Sequence, residues 1–403
     1  MMNQDPYFKK VIPFVHGDVS LTFRVSQDLF SSYDVDVGTR FLLRTLATEG
    51  VSGGRAILDL GCGYGPIGLT LGKVNKDAEV HMVDRDALAV ECARQNAELN
   101  ELPDAQVYGS LGYYDVRKSD FDLIVSNIPA KAGEPVVTHF LRGAAPSLAP
   151  GGLVAVVVVT RLEAFVEQIL GETPGVVIEV KRERHGHTAF LYHFEGPGTG
   201  GWEAVESEPY TRQTTTVAFG AQEFTMRTAY GLPEFDTRSF ASVLLAEAVR
   251  GVKHLTAERA LLFNPGQGHA AVAVWKSLQP GAVELVDRDL LALRYTMRNL
   301  ELNGCAGGQV SISHQSGLAA SHGDRADLIA GVLREDEGPA AVAAALDQAA
   351  RRLAPNGTIV TVGGSTAVSR LIAHVRVKKK LTVEDRKRRG GLSLLVMRGK
   401  RSS

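Results

Sequence analysis

The chain has 403 residues, of which 44% are hydrophobic and 22% charged, and its formal net charge at pH 7 is −1. These values are typical of a soluble globular protein of two or three domains, and they exclude a wholly disordered chain and a collagen-like repeat. No apolar run is long enough to cross a bilayer, and the three cysteines have the spacing neither of a zinc site nor of a disulfide framework. We therefore expect a cytoplasmic protein that binds neither membrane nor metal.

Apolar strand patterns alternate with amphipathic helix patterns along the first half of the chain. The predicted elements, in chain order, are a β-rich start at residues 11–30, a helix at Thr39–Thr48, a strand at Ala56–Leu60, a helix at Pro66–Lys73, a strand at Val80–Val83, a helix at Ala87–Asn100, and strands at Leu123–Ser126 and Leu153–Thr160. A hairpin near His185 closes the series. This alternation predicts an α/β fold with a mostly parallel, doubly wound sheet and a closing antiparallel hairpin.

The second half of the chain repeats the first. The segment EVHMVDRDALAVECARQNAELN, Glu79 to Asn100, aligns without gaps with AVELVDRDLLALRYTMRNLELN, Ala282 to Asn303. We therefore expect two tandem, duplicated Rossmann-like domains, at residues 1–195 and 217–403, joined by a Gly-rich linker at 196–216. Because an internal duplication can replace a homodimer interface, we expect a monomer.

A glycine-rich loop, in the string DLGCGYGPIG, follows an apolar strand and opens the next helix. Gly61, Gly63 and Gly65 allow a tight turn and a close approach of a ligand to the backbone. Asp84, at the end of the following strand, is placed to accept hydrogen bonds from the two hydroxyls of a ribose. Asp59 precedes the glycines, where an acid would repel a pyrophosphate but suits a ligand with an ammonium and a sulfonium group.

The string DLGCGYG resembles the first motif of class I S-adenosylmethionine-dependent methyltransferases. The resemblance implies S-adenosylmethionine as the cofactor, held by the three glycines and the two acids. The second half departs from this motif, because Asn264 takes the place of Asp59 and Ala270 that of the third glycine, although Asp287 remains at the strand end. We expect the second domain to be a degenerate copy that binds no cofactor or binds it weakly.

A second motif, Ser126-Asn127-Ile128-Pro129-Ala130, ends a predicted strand. It resembles the NPPF-type motif of amino-methyltransferases. The resemblance implies that Asn127, Ile128 and Pro129 hold an exocyclic amine, with the Asn127 side-chain oxygen and the Ile128 carbonyl as acceptors, and that Asn127 also borders the cofactor. Ala130 replaces the aromatic residue that would stack on a base, so another ring must substitute or the target is not a base. The candidates for that ring are Tyr33, Tyr113 and Tyr114.

The segment LFSSYDVDVGTRFLLRTL, Leu29 to Leu46, resembles the one that precedes the glycine loop in small-subunit ribosomal RNA guanine-N2 methyltransferases, which pair two homologous domains. The resemblance implies that Asp36 and Thr39 line the cofactor entrance. It also implies methyl transfer to an exocyclic amine, with guanine-N2 of ribosomal RNA as the expected target. In that family the active domain is C-terminal, whereas here the intact motifs are N-terminal. Methylation of protein glutamine or of a small molecule, and a non-catalytic RNA-binding assembly role, stay open.

Basic residues cluster in the closing hairpin of each half, and we expect them to contact ribosomal RNA or a ribosomal subunit. The predicted RNA-binding residues are Arg182 and Arg184 in the first half and Arg386, Lys387, Arg388 and Arg389 in the second. The alternative is a solvated hairpin edge that charge protects from aggregation. His185 and His187 flank a glycine and indicate a turn rather than a metal pair, since no third ligand is evident.

Overall fold

The computed structural model describes residues 5–195, 208–219, 222–234, 237–252, 255–319 and 325–400. Contacts within the chain divide it into two compact units. The first unit runs from Phe8 to Tyr210, and the second combines the N-terminal residues up to Tyr7 with the chain from Thr211 onward. Residues 196–207 of the predicted linker lie outside the described residues, and the first strand of the second unit begins within the predicted linker, at Thr211.

The first unit contains a two-stranded hairpin and a seven-stranded sheet flanked by helices. Its elements are β1 (Phe8–His16), β2 (Val19–Ser26), α1 (Val37–Thr48), β3 (Ala56–Leu60), α2 (Pro66–Val74), β4 (Glu79–Asp84), α3 (Ala87–Leu99), β5 (Gln106–Gly109), β6 (Phe121–Asn127), α4 (Glu134–Arg142), β7 (Leu148–Val159), α5 (Glu163–Glu172), β8 (Val176–Arg184) and β9 (His187–Phe194). The sheet order is β5-β4-β3-β6-β7-β9-β8, in which only β9 and its neighbours pair antiparallel.

The second unit has the same plan. Its elements are β10 (Thr211–Phe219), β11 (Gln222–Ala229), α6 (Phe240–Gly251), β12 (Arg259–Phe263), α7 (His269–Leu278), β13 (Ala282–Asp287), α8 (Leu290–Leu302), β14 (Val310–His314), β15 (Ala326–Val332), α9 (Pro339–Arg352), β16 (Leu353–Gly364), α10 (Ser365–Lys378), β17 (Leu381–Arg389) and β18 (Leu392–Gly399). The sheet order is β14-β13-β12-β15-β16-β18-β17. The expected duplicated α/β fold, with mostly parallel sheets and closing antiparallel hairpins, is confirmed.

The elements form where local sequence and burial agree. Strand β3 is buried at all five positions, as expected of a central strand covered on both faces. Helix α1 begins two residues before the predicted start, because Asp36 caps it by accepting hydrogen bonds from the N–H groups of Gly38 at 2.8 Å and Thr39 at 3.3 Å. No helix among the described residues is long and apolar enough to span a membrane.

One buried amide contact occurs in both units and supports the common ancestry of the halves. Asn96 Oδ1 accepts the Arg24 N–H at 2.7 Å, and its Nδ2 donates to the Arg24 carbonyl at 2.9 Å. In the second unit Asn299 makes the same pair of hydrogen bonds with Arg227, also at 2.7 and 2.9 Å. Each asparagine therefore joins a helix (α3 or α8) to the N-terminal hairpin of its unit.

Candidate active site

Three neighbouring strands of the first sheet bring the predicted site residues to one edge. Strands β3, β4 and β6 are neighbours in the sheet and pair parallel. Asp59 is the penultimate residue of β3, Asp84 is the last residue of β4, and Asn127 is the last residue of β6. Ligands of open parallel sheets bind at the carboxyl ends of the strands. Residues predicted from separate motifs therefore meet where such a ligand would bind.

The glycine-rich loop leaves β3 through residues of positive φ. Gly61, Gly63 and Gly65 have φ angles of 77°, 56° and 91°, a region that L side chains rarely adopt. The Gly63 N–H donates to Asp84 Oδ2 at 2.9 Å, which ties the loop to β4. A Cβ on Gly61 or Gly63 would meet no atom within 4 Å, whereas one on Gly65 would lie 3.0 Å from Leu69 Cδ1. The first two glycines thus leave space for a ligand beside the strand end.

Asp59 is a fully buried carboxylate with one unsatisfied oxygen. Its Oδ2 accepts the Gly68 N–H at 2.8 Å, while Oδ1 has no hydrogen-bond partner among the described residues. Burial, with a further contribution from the charge of Asp84, raises the pKa of Asp59 to about 7. A buried, unpaired carboxylate oxygen is unfavourable unless a cation or donor reaches it. Asp59 therefore fits the ammonium group of the expected cofactor.

Asp84 lies at the end of β4, beside the glycine loop. Its two oxygens accept the N–H groups of Gly63 and Asp86, each at 2.9 Å. Burial, and then the charge of Asp86, raise the pKa of Asp84 to about 6. A carboxylate offers about four acceptor positions, so these two hydrogen bonds leave capacity for further donors. Two ribose hydroxyls are donors that this residue can accommodate.

Asn127 is held in one orientation by residues from the start of α1. Its Nδ2 donates to Asp36 Oδ2 at 2.9 Å and to Thr39 Oγ1 at 3.1 Å. Asp36 Oδ2 also accepts two backbone N–H groups, so it acts as an acceptor and requires the amide nitrogen to face it. The Asn127 Oδ1 and the Ile128 carbonyl accept no hydrogen bond from the described residues. Both oxygens are therefore left as acceptors.

The loop after Asn127 is fixed by contacts on both sides. Ile128 is buried, and its N–H donates to the Val157 carbonyl of β7 at 3.0 Å. The Pro129 carbonyl accepts the N–H of Ala132 at 3.1 Å. Arg161 Nη2 donates to the Ala130 carbonyl at 3.2 Å, a contact that no sequence motif indicated. The loop therefore has a defined shape although Ile128 replaces the first proline of the motif.

Of the three tyrosines named as substitutes for the missing aromatic residue, Tyr33 is the most accessible. It is 75% exposed and lies three residues before Asp36, with Lys9 Nζ 3.3 Å from its ring centroid. Tyr113 packs inward and donates its hydroxyl hydrogen to a carbonyl of α4. Tyr114 is half-exposed and stacks on a histidine of α4. Phe30, also 75% exposed, lies in the same segment as Tyr33 and was not singled out from the sequence.

His185 and Gly186 form the turn between β8 and β9, as the sequence indicates, and His187 is the first residue of β9. The Nδ1 of His187 lies 3.1 Å from the His185 carbonyl. A Cβ on Gly38 would lie 2.9 Å from His187 Cδ2, so this ring packs against the start of α1, next to Asp36. Within the described ranges, no three His, Cys, Asp or Glu side chains are grouped as metal ligands would be.

Strand pairing decides which loop residues of the second unit correspond to those of the first. Leu60 pairs with Val83, and Phe263 pairs with Val286, the counterpart of Val83 in the repeat. This register places Leu262, and not Asn264, at the position of Asp59. Asn264 occupies the place of the first glycine, and Gly268, with a φ of 94°, that of the third. The predicted pairing of Asn264 with Asp59 and of Ala270 with the third glycine is therefore wrong, because the strand and loop align without an inserted residue.

The strand ends of the second unit are filled by the protein's own side chains. Asp287, the counterpart of Asp84, accepts a hydrogen bond from Arg334 Nη2 at 2.6 Å. The strand pairing places Val332 at the position of Asn127, so the acceptor amide is missing. The cavity at this edge, lined by Asn264, Arg334 and neighbouring residues, measures only about 30 Å³.

The predicted RNA-binding cations differ in their surroundings. Arg184 and Arg388 are exposed and have no hydrogen bond or ion pair among the described residues. The others have partners: Arg182 pairs with Glu49, Arg386 Nη2 donates to Ser369 Oγ at 2.7 Å, Lys387 lies 3.1 Å from Asp385, and Arg389 lies 3.2 Å from Glu247. An RNA phosphate would compete with a carboxylate at three of these four positions.

A basic groove in the second unit was not predicted as a site. It lies between α10 and β17, has a volume of about 490 Å³ and is lined by Arg376, Lys379, Arg386 and Lys400 over an apolar floor. No acidic side chain lines it among the described residues. Three of the four cations, Arg376, Lys379 and Lys400, make no side-chain hydrogen bond or ion pair within the described part of the chain. We call this feature the α10 groove.

Comparison with known proteins agrees with these observations. Residues 20–185 match the family described as methyltransferase small domain. The chain is 38% identical to the uncharacterized protein YbxB of Bacillus subtilis over 138 residues, which cover 34% of this chain and 68% of that protein. The chain belongs to the methyltransferase small domain family. The resemblance to class I methyltransferases, a class whose methyl donor is S-adenosylmethionine, is thereby confirmed.

Two further proteins that the chain is similar to are named for ribosomal RNA. The chain is 40% identical over 118 residues to the ribosomal RNA small subunit methyltransferase C of Aeromonas hydrophila, covering 29% of this chain and 32% of that enzyme. The chain thus spans about a third of that relative. The solved structure of the T. thermophilus 16S rRNA N2 methyltransferase RsmC, in complex with AdoMet and guanosine, has a TM-score of 0.67 at 19% identity and covers 97% of this chain and 98% of that chain. At that identity the match shows the duplicated fold alone.

Proposed function

We propose that the first unit transfers a methyl group from S-adenosylmethionine to an exocyclic amine, with guanine-N2 of ribosomal RNA as the target. The orientation of Asn127 carries this proposal. Asp36 and Thr39 hold its amide hydrogens, which leaves its Oδ1 and the Ile128 carbonyl to accept both hydrogens of an NH₂ group. Two such acceptors fix the direction of the nitrogen lone pair, and orientation of this kind lowers the barrier of a bimolecular reaction.

The strand ends beside Asn127 supply the cofactor-binding groups. The bound cofactor supplies an electrophilic methyl group. In our proposal Asp84 accepts hydrogen bonds from its ribose, Asp59 pairs with its ammonium, and Gly61, Gly63 and Gly65 shape the loop that admits it. The buried, unsatisfied Asp59 Oδ1 supports this assignment, since a ligand cation would remove the cost of leaving it unpaired.

The remaining residues have positioning roles. Asp36 and Thr39 orient Asn127 and line the entrance to the cofactor cleft, and Pro129 shapes the loop that presents the Ile128 carbonyl. An amine that attacks an activated methyl group releases its proton afterwards and needs orientation more than a strong base. Tyr33 is our candidate for the ring that stacks on the target base in place of the aromatic residue of the motif.

Ribosomal RNA as partner is supported by the names of the relatives and by the distribution of positive charge. We propose that the second unit places the RNA, through Arg388 and the α10 groove, while Arg184 contacts it from the first unit. Cations that neutralise RNA phosphates release the counterions condensed on the RNA, and this release makes RNA binding favourable and dependent on salt. The second unit, whose strand ends are filled, serves binding and folding in this proposal rather than transfer.

The direct test is transfer of radiolabelled methyl from S-adenosylmethionine. Deproteinised ribosomal RNA, assembled subunits and bulk protein are offered in parallel, and the labelled material is hydrolysed and its nucleosides identified. We expect N2-methylguanosine in RNA. Label only in protein or in small molecules would show that Ala130 marks a different acceptor. Cofactor binding without any label would favour a non-catalytic assembly protein.

The variant Asn127→Ala separates the acceptor from the cofactor site. It removes the Oδ1 that orients the amine, so we expect methyl transfer to fall by about 100-fold or more, with cofactor affinity nearly unchanged. The control is Val332→Ala, at the corresponding place in the second unit, which should leave transfer unchanged. Transfer is measured at saturating cofactor and affinity by calorimetry. Equal losses of transfer and affinity would make Asn127 a structural residue instead.

A further inference from the structure

The chain passes between its two compact units at two equivalent points of the repeat. The first unit starts at Phe8 and ends at Tyr210, whereas Tyr7 belongs with the second unit. Tyr7 and Tyr210 occupy the same position of the repeat, in the strings DPYF and EPYT. The tyrosine before the first strand of each half therefore belongs to the unit built mainly from the other half: Tyr7 to the second unit and Tyr210 to the first.

Tyr210 is buried in the first unit against the loop that follows β5. Only 4% of its surface is exposed. Its hydroxyl oxygen would lie 2.8 Å from a Cβ on Gly112, so the side chain packs directly on that glycine. Its ring meets His139 edge-on at 6.1 Å between centroids and lies tilted at 6.4 Å from Tyr114. Tyr210 is thus a packed part of the first unit although it falls inside the predicted linker.

The loop that Tyr210 supports is hydrogen-bonded to the predicted ribose site. The Ser110 N–H donates to the Asp84 carbonyl at 3.0 Å, and Ser110 Oγ donates to the Gly112 carbonyl at 2.6 Å. Two hydrogen bonds therefore connect Asp84 with the glycine beneath Tyr210. This loop follows β5, the strand that pairs with β4, so it borders the strand end at which Asp84 would bind a ribose.

Tyr7 makes the equivalent contact in the second unit, beside a small cavity. Its hydroxyl would lie 3.1 Å from a Cβ on Gly317, the counterpart of Gly112. Gly317 lines the small remaining cavity, together with Arg288, Arg334 and Glu337, whose charges act on the Tyr7 hydroxyl. Tyr7 therefore lies against the counterpart of the cofactor site. This equivalence supports placing Tyr210 beside the cofactor site of the first unit.

We infer that Tyr210 is a positioning residue for the cofactor, supplied by the segment that leads into the second half. Its hydroxyl packs on Gly112 and its ring on His139 and Tyr114, so it holds the loop that is hydrogen-bonded to the strand end at Asp84. Tyr7 has only a packing role, because the strand ends that it meets are already filled. The inference rests on the proposed cofactor site, and it predicts that the site requires a residue outside the first repeat.

The experiment compares Tyr210→Ala with its matched control, Tyr7→Ala, in the full chain. A fragment cut within residues 196–207 would separate each tyrosine from the unit that it packs in. We expect Tyr210→Ala to raise the Kd for S-adenosylhomocysteine about tenfold, with methyl transfer at saturating cofactor little changed, because its effect is on binding. Tyr210→Phe keeps the ring against His139 and Tyr114 and loses only the hydroxyl on Gly112, so it should recover most of the affinity. Tyr7→Ala should leave the Kd unchanged. Both alanine variants should lower the Tm, because both tyrosines are buried.

A second readout does not depend on activity. Hydrogen exchange of the backbone amides in residues 110–115 should accelerate in Tyr210→Ala and remain slow in Tyr7→Ala. If Tyr210→Ala does not fold, Tyr210→Leu keeps apolar bulk without the ring and is measured in its place. An unchanged Kd in a folded Tyr210 variant, or equal Kd changes in the Tyr210 and Tyr7 variants, would overturn the inference while leaving the cofactor site intact. A wild-type chain that binds no S-adenosylhomocysteine would instead overturn the proposed function.

Discussion

Replacement of Asp59 by asparagine tests the energetic basis of the cofactor site. The two side chains have the same shape, and an asparagine oxygen can still accept the Gly68 N–H that Asp59 Oδ2 accepts at 2.8 Å. The change removes the ability to ionise and places an NH₂ donor where Asp59 has the Oδ1 acceptor, a difference that does not depend on pH. We therefore expect the variant to fold, to gain stability at alkaline pH relative to the wild type, and to bind the cofactor less tightly.

The magnitude follows from the pKa of Asp59. Burial raises it from 3.8 to about 7, and each unit corresponds to about 1.4 kcal/mol, so ionisation of the folded protein costs about 4 kcal/mol in full. Because the folded pKa is the higher one, the unfolded chain loses this proton first as the pH rises. Stability therefore falls between about pH 4 and pH 7 and then levels off. Between pH 5 and pH 8 the wild type should lose about 2–3 kcal/mol relative to Asp59→Asn.

Burial favours the protonated form of Asp59, whereas the bound cofactor favours the ionised form. A ligand ammonium stabilises the ionised carboxylate, so affinity should fall about tenfold when the pH is lowered from 8 to 6 and Asp59 takes up a proton. The variant should bind about 10 to 100 times more weakly than the wild type at pH 8, in line with the loss of a charge-assisted contact. Its affinity should depend less on pH over this range, because of the two acids only Asp84, whose pKa is about 6, still takes up a proton.

Urea unfolding without cofactor, followed by circular dichroism at pH 5 and pH 8, measures the stability difference, and calorimetric titration measures affinity. The control is Asp122→Asn. Asp122 Oδ2 accepts the N–H groups of Arg55 and Ala56 at 2.7 and 2.9 Å, at the opposite end of β3 from the site. This control should leave cofactor affinity unchanged. A stability difference between wild type and Asp59→Asn that is the same at both pH values would refute the assignment of a buried carboxylate with a raised pKa.

Two further predictions concern the second unit. Calorimetric titration of the full chain should give one cofactor per chain, because the second set of strand ends is filled, and a stoichiometry of two would contradict that account. For RNA binding, Arg376→Gln with Lys400→Gln should reduce the slope of log affinity against log salt by about 1.5, since each lost phosphate contact lowers it by about 0.7 to 0.9. The matched pair Arg182→Gln with Arg389→Gln, whose cations already have carboxylate partners, should change the slope little, and equal changes in both pairs would remove the α10 groove from the explanation.

The fold and the position of the site could be predicted because they depend on local and repeated patterns. The alternation of strands and helices predicts the parallel sheet, and a parallel sheet brings the ends of adjacent strands together. Asp59, Asp84 and Asn127 are each recognisable at a strand end, so their convergence follows from the fold. The register of the second loop does not follow from sequence, because RALLFNPGQG can be aligned either from its strand or from its glycines. The pairing of β12 with β13 decides between the two alignments.

Contacts between residues far apart in sequence could not be predicted. Asn127 is oriented by Asp36, 91 residues earlier, and no local pattern shows that the two side chains meet. The same holds for the cations, since sequence shows their number but not which of them face a carboxylate. Tyr210 lies in a stretch whose composition predicts a linker, and its burial depends on the packing of His139 and Tyr114, which come long before it in the chain.

The two units show how one arrangement of strands can either require a ligand or do without it. In the first unit Asp59 is buried with an oxygen that has no hydrogen-bond partner within the described part of the chain, an energetic cost that a cation would remove. In the second unit Leu262 stands in place of Asp59, so that carboxylate is absent. Arg334 donates a hydrogen bond to Asp287 at 2.6 Å and is a permanent cation. A polar strand end of this fold is thus satisfied in one of two ways, by a bound ligand or by the chain itself. The prediction of one cofactor per chain follows from this difference.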